Sequence, residues 1–283
     1  MRPLQASLST GRVWVDGEVV APADAVVSAF DHGVTVGNGV FETLRLYRGV
    51  PFALRRHLER LARSAEGLGL ALPDRAALEG AVAEVVAAAR LADARLRVTV
   101  TGGPAPLGSG RGSAAPTVIV AVAPLEPLGS TATVAVVPWT RNQRSAVAGL
   151  KTTSYAENVV ALAYARERGA SEAIFANTGG ALCEGTGSNV VLGIDGRLLT
   201  PPLSSGCLAG VTRALVLERC DVAEVELPLA ALAQADEAFL TSTTREVQPI
   251  TAVDRRPLGG APGPLTSTAM AVFADLVASD LDP

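Results

Sequence analysis

Apolar and polar positions follow two different periods along this 283-residue chain, and each change of period marks an element. Residues 12–20, RVWVDGEVV, alternate as strands do, around Asp16-Gly17, a pair that favours a tight hairpin turn. After a glycine-punctuated loop, residues 40–47 alternate again, and Arg48-Gly49 closes a second hairpin. Between 54 and 70 the period becomes helical, with Leu54, Leu58, Leu61, Ala65 and Leu68 on one face. His57 and Arg60 lie one turn apart on that helix, Arg60 beside the apolar stripe. Pro73-Asp74 opens a second helix running to about Arg90. Strands at 96–101 and 117–122 flank GGPAPLGSGRGSAAP, a loop whose Arg111 takes no role from the sequence.

Two prolines and a glycine in PLEPLGS, residues 124–130, break any regular element. The pattern therefore predicts a small α+β domain over 1–123, a linker at 124–130 and a larger domain over 131–283. In the larger domain it predicts a strand at 133–137 and a helix from about Tyr155 to Gly169. Two strands follow over 172–194 around Gly179-Gly180, then one at 197–200. A loop from Gly206 feeds a helix beginning about Ala209 and reaching Cys220. Strands at 224–227 and 237–242 precede a last helix over 264–279.

Composition narrows the class. Apolar residues make up 48% of the chain, but none of their runs approaches the roughly 20 residues of a membrane span. No leader-like apolar stretch follows Arg2. A net charge of −4 without a basic cluster argues against nucleic acid or anionic membranes as partners. Cys183, Cys207 and Cys220 lack paired CxxC spacing, and His32 and His57 are the two histidines, so no metal site is expected. The expectation is a soluble cytoplasmic protein.

The chemistry centres on residues 149–168, GLKTTSYAENVVALAYARER. Lys151 is the single lysine of the sequence, against 23 arginines. Arginine stays protonated in proteins, whereas a lysine can lose its proton and act as a nucleophilic, imine-forming amine. The bland alternative is a chance surface charge. Three further constellations follow. Glu184 stands in a glycine-rich stretch, LCEGTGSN, between apolar segments, where a carboxylate needs a cationic partner or else only caps a turn. Leu208 to Arg213 opens a helix with small residues, and free N–H groups there suit a phosphate. Thr241-Ser242-Thr243-Thr244 ends an apolar strand with four hydroxyls that can close around an anion.

Together these residues resemble the fold type IV (class IV) enzymes that use pyridoxal phosphate. That group includes D-amino-acid transaminases, branched-chain aminotransferases and aminodeoxychorismate lyases. The resemblance is carried by Glu184-Gly-Thr186-Gly-Ser-Asn189, Leu198-Leu199-Thr200 and Leu208-Ala-Gly210-Val211-Thr212-Arg213. It extends to GNGVFETLRLYRG at 37–49 and HLERLARSA at 57–65, with Val191 departing from the usual aromatic. It implies an α+β and α/β two-domain fold, pyridoxal phosphate as cofactor and a homodimer. By the same resemblance Lys151 is the cofactor lysine and proton shuttle, and Glu184 the partner of the pyridine nitrogen. Arg60, Val211, Thr212 and Thr243 hold the phosphate. Tyr155 faces the phenolic oxygen, although branched-chain enzymes place their tyrosine where this chain has Ala156.

Substrate choice stays open among three reactions of an amino acid with a 2-oxo acid or of aminodeoxychorismate. Arg97 sits where branched-chain aminotransferases have a pocket arginine. Gly102-Gly103 replaces the Arg-Gly of D-amino-acid enzymes, and Glu42 replaces a threonine found in one lyase form. Val34 and Val36 replace aromatic or histidine pocket residues, and Thr244 lies at the same strand end as Thr243. The sequence reading ranks a D-amino-acid transaminase first. The lyase and the branched-chain L-amino-acid transaminase are the alternatives. A catalytically silent cofactor-binding protein would lack Lys151 or Glu184, and both are present.

Overall fold

The computed structural model describes residues 10–283. The reading of the N-terminus around Arg2 falls in part on residues 1–9, outside the described residues. Two compact units are present. The first comprises the chain up to Glu126 with Leu150–Ser154 and Asp280–Pro283, and the second Pro127–Gly149 with Tyr155–Ser279.

The first unit carries β1 (Arg12–Val15), β2 (Glu18–Val20), β3 (Gly39–Tyr47), β4 (Val50–Pro51), β5 (Ala94–Thr101) and β6 (Val118–Pro124). Its helices are α1 (His32–Thr35), α2 (Leu54–Leu68) and α3 (Arg75–Ala89). The sheet order is β2-β1-β6-β5-β3-β4, antiparallel at every pairing. Alternation sorts the two faces. On β5, Ala94, Leu96, Val98 and Val100 are buried while Arg95 and Arg97 are exposed. The buried row packs with Leu58 and Leu61 of α2 and with Leu78, Val82 and Val85 of α3.

Helix ends in this unit are closed by named groups. Asp74 accepts from Ala77 N at 2.7 Å to start α3, and Gly69 ends α2 in the left-handed conformation. Arg111 donates to the carbonyls of Leu68 and Gly69, which gives that loop residue a helix-capping role. At the other end of α2, Ala53 N donates to Leu281 O at 2.7 Å and Arg55 N to Asp282 Oδ1 at 3.0 Å. The last residues of the chain therefore hold the entry to this helix.

Leu150–Ser154 runs beside β3. Phe41 N donates to Lys151 O at 3.0 Å and Thr153 N to Gly39 O at 2.8 Å. Lys151 N in turn donates to Ser64 Oγ of α2 at 3.1 Å. The backbone of the lone lysine is thus fixed to both a strand and a helix.

The second unit carries β7 (Ala132–Arg141), β8 (Glu172–Asn177), β9 (Leu182–Gly185), β10 (Asn189–Ile194), β11 (Arg197–Thr200) and β12 (Val222–Glu224). β13 (Glu237–Ser242), β14 (Glu246–Val253) and β15 (Arg256–Pro257) complete it, with helices α4 (Ala156–Glu167), α5 (Val211–Arg219), α6 (Ala231–Gln234) and α7 (Pro264–Ser279). The order is β12-β11-β10-β13-β14-β7-β8-β9, with β15 on β14 and parallel pairs at β11/β12, β14/β7 and β7/β8. Adjacent β8 residues face opposite cores: Ile174 packs with Leu182, Leu192 and Leu240, and Phe175 with Ala161 and Ala165 of α4. No helix among the described residues is long and apolar enough to cross a membrane.

Three expectations shift. Residues 172–194 form three strands rather than two, because a second turn at 186–188 separates β9 from β10. The strand expected at 224–227 lies at Val222–Glu224, in parallel register with β11. β14 was not expected, since Pro249 argues against an interior strand. It sits opposite Phe239, just before the register shift at Ile250/Ala252 where β14 meets β7.

Candidate active site

Around Lys151 the first unit assembles two cations on one ring. The Nζ of Lys151 lies 4.3 Å from the centroid of Phe41, and the guanidinium of Arg97 lies 3.6 Å from it. Phe41 is buried on β3, directly opposite Thr99 of β5, and Arg97 Nε donates to Thr99 Oγ1 at 3.2 Å. Cation–π attraction and this hydrogen bond both draw Arg97 towards the ring.

On the other face of β3, Glu42 occupies an inward position between Val40 and Leu44. Such a burial is costly for a carboxylate unless partners compensate it. Arg60 supplies two parallel bonds, Nε to Oε1 and Nη2 to Oε2, both 2.7 Å. His57 Nδ1 adds a third contact, to Oε2 at 2.7 Å. Burial alone would push the Glu42 carboxyl up, but Arg60 and then His57 outweigh it and hold the group well below the usual carboxylate range. Burial pushes His57 down, against the pull of Glu42, and the charges of Arg60 and Lys151 add to that depression. A neutral imidazole with its proton on Nδ1 therefore donates to the carboxylate. Arg60, only 6% exposed, is held rigidly by this pairing.

In the second unit Glu184 stands on β9. It accepts from Leu208 N at 2.9 Å, and Arg141 Nε lies 3.3 Å from its other oxygen. Arg141 also pairs with Glu157 at 2.6 Å and stacks over Phe175. Glu172, buried at the start of β8, accepts from Thr186 N at 3.1 Å, Thr186 Oγ1 and Ser188 Oγ at 3.0 Å, and so fixes the turn after Glu184. A Cβ at Gly185 would meet Ser188 Oγ at 2.4 Å, so a side chain there would have to displace that hydroxyl from Glu172.

Helix α5 begins at Val211 after Gly210, which provides no side-chain cap. The first N–H groups of a helix have no partner within it, and the dipole makes that end attractive to anions. Asn189 Nδ2 donates to Leu208 O at 2.8 Å, and a Cβ on Gly210 would fall 2.1 Å from Asn189 Oδ1. Thr212 is buried in the first turn, and Thr243 and Thr244 are half-buried in the turn after β13. Tyr155, also half-buried, precedes the first residue of α4. Val34 on α1 and Val36 just after it are 67% and 42% exposed.

The structure therefore gathers Lys151 and Arg97 around Phe41 in the first unit. In the second it connects Glu184 to Leu208 at the approach to Val211 and Thr212. Glu42 and His57, as partners of Arg60, were not among the residues picked from the sequence. The signal for Glu42 was available: it is a charge in the apolar register of β3.

The family described as Amino-transferase class IV matches residues 39–253. The chain belongs to the class IV aminotransferases. Similar proteins are spread over its branches. A Methanocaldococcus jannaschii protein provisionally named a branched-chain-amino-acid aminotransferase is 34% identical, over 94% of this chain and 96% of its own. A D-alanine aminotransferase of Bacillus licheniformis is 32% identical, covering 95% and 98%. An aminodeoxychorismate lyase of Bacillus subtilis is 33% identical, covering 92% and 93%. Among solved structures, the branched-chain aminotransferase of Thermoproteus uzoniensis with norvaline has a TM-score of 0.88 at 33% identity, covering 94% of each chain. The T.th. branched-chain enzyme with pyridoxamine 5'-phosphate has 0.87 at 28%, covering 94% of each. This class IV aminotransferase is a fold type IV enzyme that uses pyridoxal phosphate, and its reaction is a transamination of that class.

Proposed function

We propose that this enzyme transfers the amino group of an aliphatic L-amino acid, branched-chain ones above all, to a 2-oxo acid. The observation that carries the reading is Arg97, held over the ring that Lys151 also faces. An arginine so placed offers a planar fork to the substrate α-carboxylate close to the lysine amine. Val34 and Val36 give exposed apolar contact for an aliphatic side chain, and Thr244 a hydroxyl for the carboxylate. After β5, Gly102 stands at the position of the arginine in the Arg-Gly pair, so this chain lacks that second cation for the carboxylate. The structural relatives named above as branched-chain aminotransferases support the same ranking. The D-amino-acid reading placed first from the sequence therefore moves behind it.

The donor set fits pyridoxal phosphate. An uncapped helix start and a pinned arginine suit its phosphate, and a carboxylate suits its ring nitrogen. In this reading Arg60, Val211, Thr212 and Thr243 hold the phosphate. Glu184, steadied by Leu208 N, would partner the ring nitrogen, Tyr155 would serve the phenolic oxygen, and Lys151 would be the attachment point. When bound, the cofactor supplies a carbonyl that exchanges for the amino group and a ring that accommodates the electron pair left at Cα. Lys151 Nζ would take the proton from substrate Cα, and Arg97 would hold the substrate carboxylate. Glu42 and His57 keep Arg60 in place. Glu172 keeps the turn beside Glu184 in place.

A homodimer belongs to the same proposal. Val26, Phe30 and Leu107 of the first unit are 77%, 55% and 73% exposed, and such apolar side chains are covered by a second copy. The test is steady-state turnover with 2-oxoglutarate and a panel of L-leucine, L-valine and D-alanine, with aminodeoxychorismate assayed alongside. L-Leucine and L-valine should lead in kcat/KM. Faster turnover of D-alanine, or release of 4-aminobenzoate as the main activity, overturns the reading.

A further inference from the structure

A cavity of about 350 Å³ lies in the second unit, where the end of α5, the start of β11 and the first turns of α7 meet. It stands at the opposite end of α5 from Val211 and Thr212, about 13 Å away along a nine-residue helix. Nothing in the reaction described above uses it. Its floor is apolar, formed by Leu198, Leu265, Ala269 and Val272. Its rim carries Arg197, Arg219 and Asp221. Among the described residues neither Arg197 nor Arg219 makes an ion pair or a side-chain hydrogen bond, and both are exposed.

These groups define a ligand. Two uncommitted guanidinium groups select a carboxylate. Asp221 and the last carbonyls of α5, which have no partner within the helix, favour a cation. The apolar floor selects an aliphatic chain, and the volume is at the small end of ligand pockets, enough for one such molecule. We infer that this groove binds a free aliphatic α-amino acid as a zwitterion, at a site separate from Lys151. Arg197 and Arg219 take the carboxylate, Asp221 with the helix end takes the ammonium, and the floor takes the side chain. The ligand class follows from the groove itself and stands whether or not the reaction prefers L-amino acids.

Cys220 lines the same cavity and reports on it. Burial pushes all three thiols up, but Cys220 is only half-buried, whereas Cys183 and Cys207 are buried and closed to a reagent. The holoenzyme is treated with a chromogenic disulfide reagent, and the rate at Cys220 is followed while L-leucine is titrated in. At ten times its Kd, L-leucine should slow the reaction about tenfold, as a single site requires. Arg197→Ala and Arg219→Ala should each lose this protection while keeping the turnover of the parent. An unchanged rate at saturating L-leucine overturns the inference. So does protection that survives both substitutions, which would place its origin at Lys151, or equal protection by 4-methyl-2-oxopentanoate, which has no ammonium group.

Discussion

Lys151 and Arg97 share the ring of Phe41, with Nζ 4.3 Å and the guanidinium 3.6 Å from its centroid. Cation–π attraction holds each of the two cations to that ring. If Arg97 holds the substrate carboxylate, Arg97→Ala should raise KM for L-leucine by one to two decades and change kcat less. That is the magnitude of a charge-assisted hydrogen bond of about 1.5–3 kcal/mol. Arg97→Lys should recover part of the loss. Steady-state kinetics on both variants check this, and an unchanged KM would remove Arg97 from the pocket.

The fork between Arg60 and Glu42 makes a second prediction. Arg60→Lys keeps a charge but not the two parallel bonds of 2.7 Å. Cofactor affinity in a dialysis titration should fall by about one to two decades. Glu42→Gln breaks the buried pair and should cost stability of about 3–5 kcal/mol, read by denaturant unfolding. Cofactor held as tightly by Arg60→Lys as by the parent would assign the phosphate to other donors.

His57 sets a pH dependence. Its folded-state value is lowered, by burial first, from an ordinary 6.5. Below that value the unfolded chain takes up a proton that the folded chain refuses, so stability falls as pH drops from about 6.5 towards the depressed value. The slope from one such group is at most about 1.4 kcal/mol per pH unit. His57→Asn, which cannot titrate, should show a shallower decline than the parent over that window. Parallel stability curves for the two proteins between about pH 7 and about pH 5 would contradict the assignment.

A side chain at Gly210 should be costly while Asn189 is present. A Cβ there would sit 2.1 Å from Asn189 Oδ1, so Gly210→Ala must displace Asn189 or the start of α5. Cofactor affinity should drop, and the melting temperature less so. Restored affinity in Gly210→Ala combined with Asn189→Ala would locate the clash in that contact.

Much of this architecture is legible in the sequence, and the exceptions are local. The alternation of β5 and the stripe of α2 fix which faces are buried, because each element covers one side only. Lys151 is conspicuous by being alone among arginines. β14 is hidden because Pro249 argues against an interior strand and is accommodated only beside a register shift. The turn between β9 and β10 is hidden because its stabilising partner, Glu172, comes fourteen residues before Thr186. Glu42 shows itself as a charge in an apolar register, but its partners His57 and Arg60 lie on another element. The role of Arg111 depends on a carbonyl 42 residues away, which no local pattern encodes.

In the proposed reaction Lys151 moves the Cα proton of an aliphatic L-amino acid. This transfer is read directly by incubating the holoenzyme in deuterium oxide with L-leucine or D-leucine, without a 2-oxo acid, and following the Cα proton by NMR. That proton should be lost from L-leucine, little from D-leucine, and from neither with Lys151→Ala. Faster exchange of D-leucine, or exchange that persists in Lys151→Ala, would contradict it.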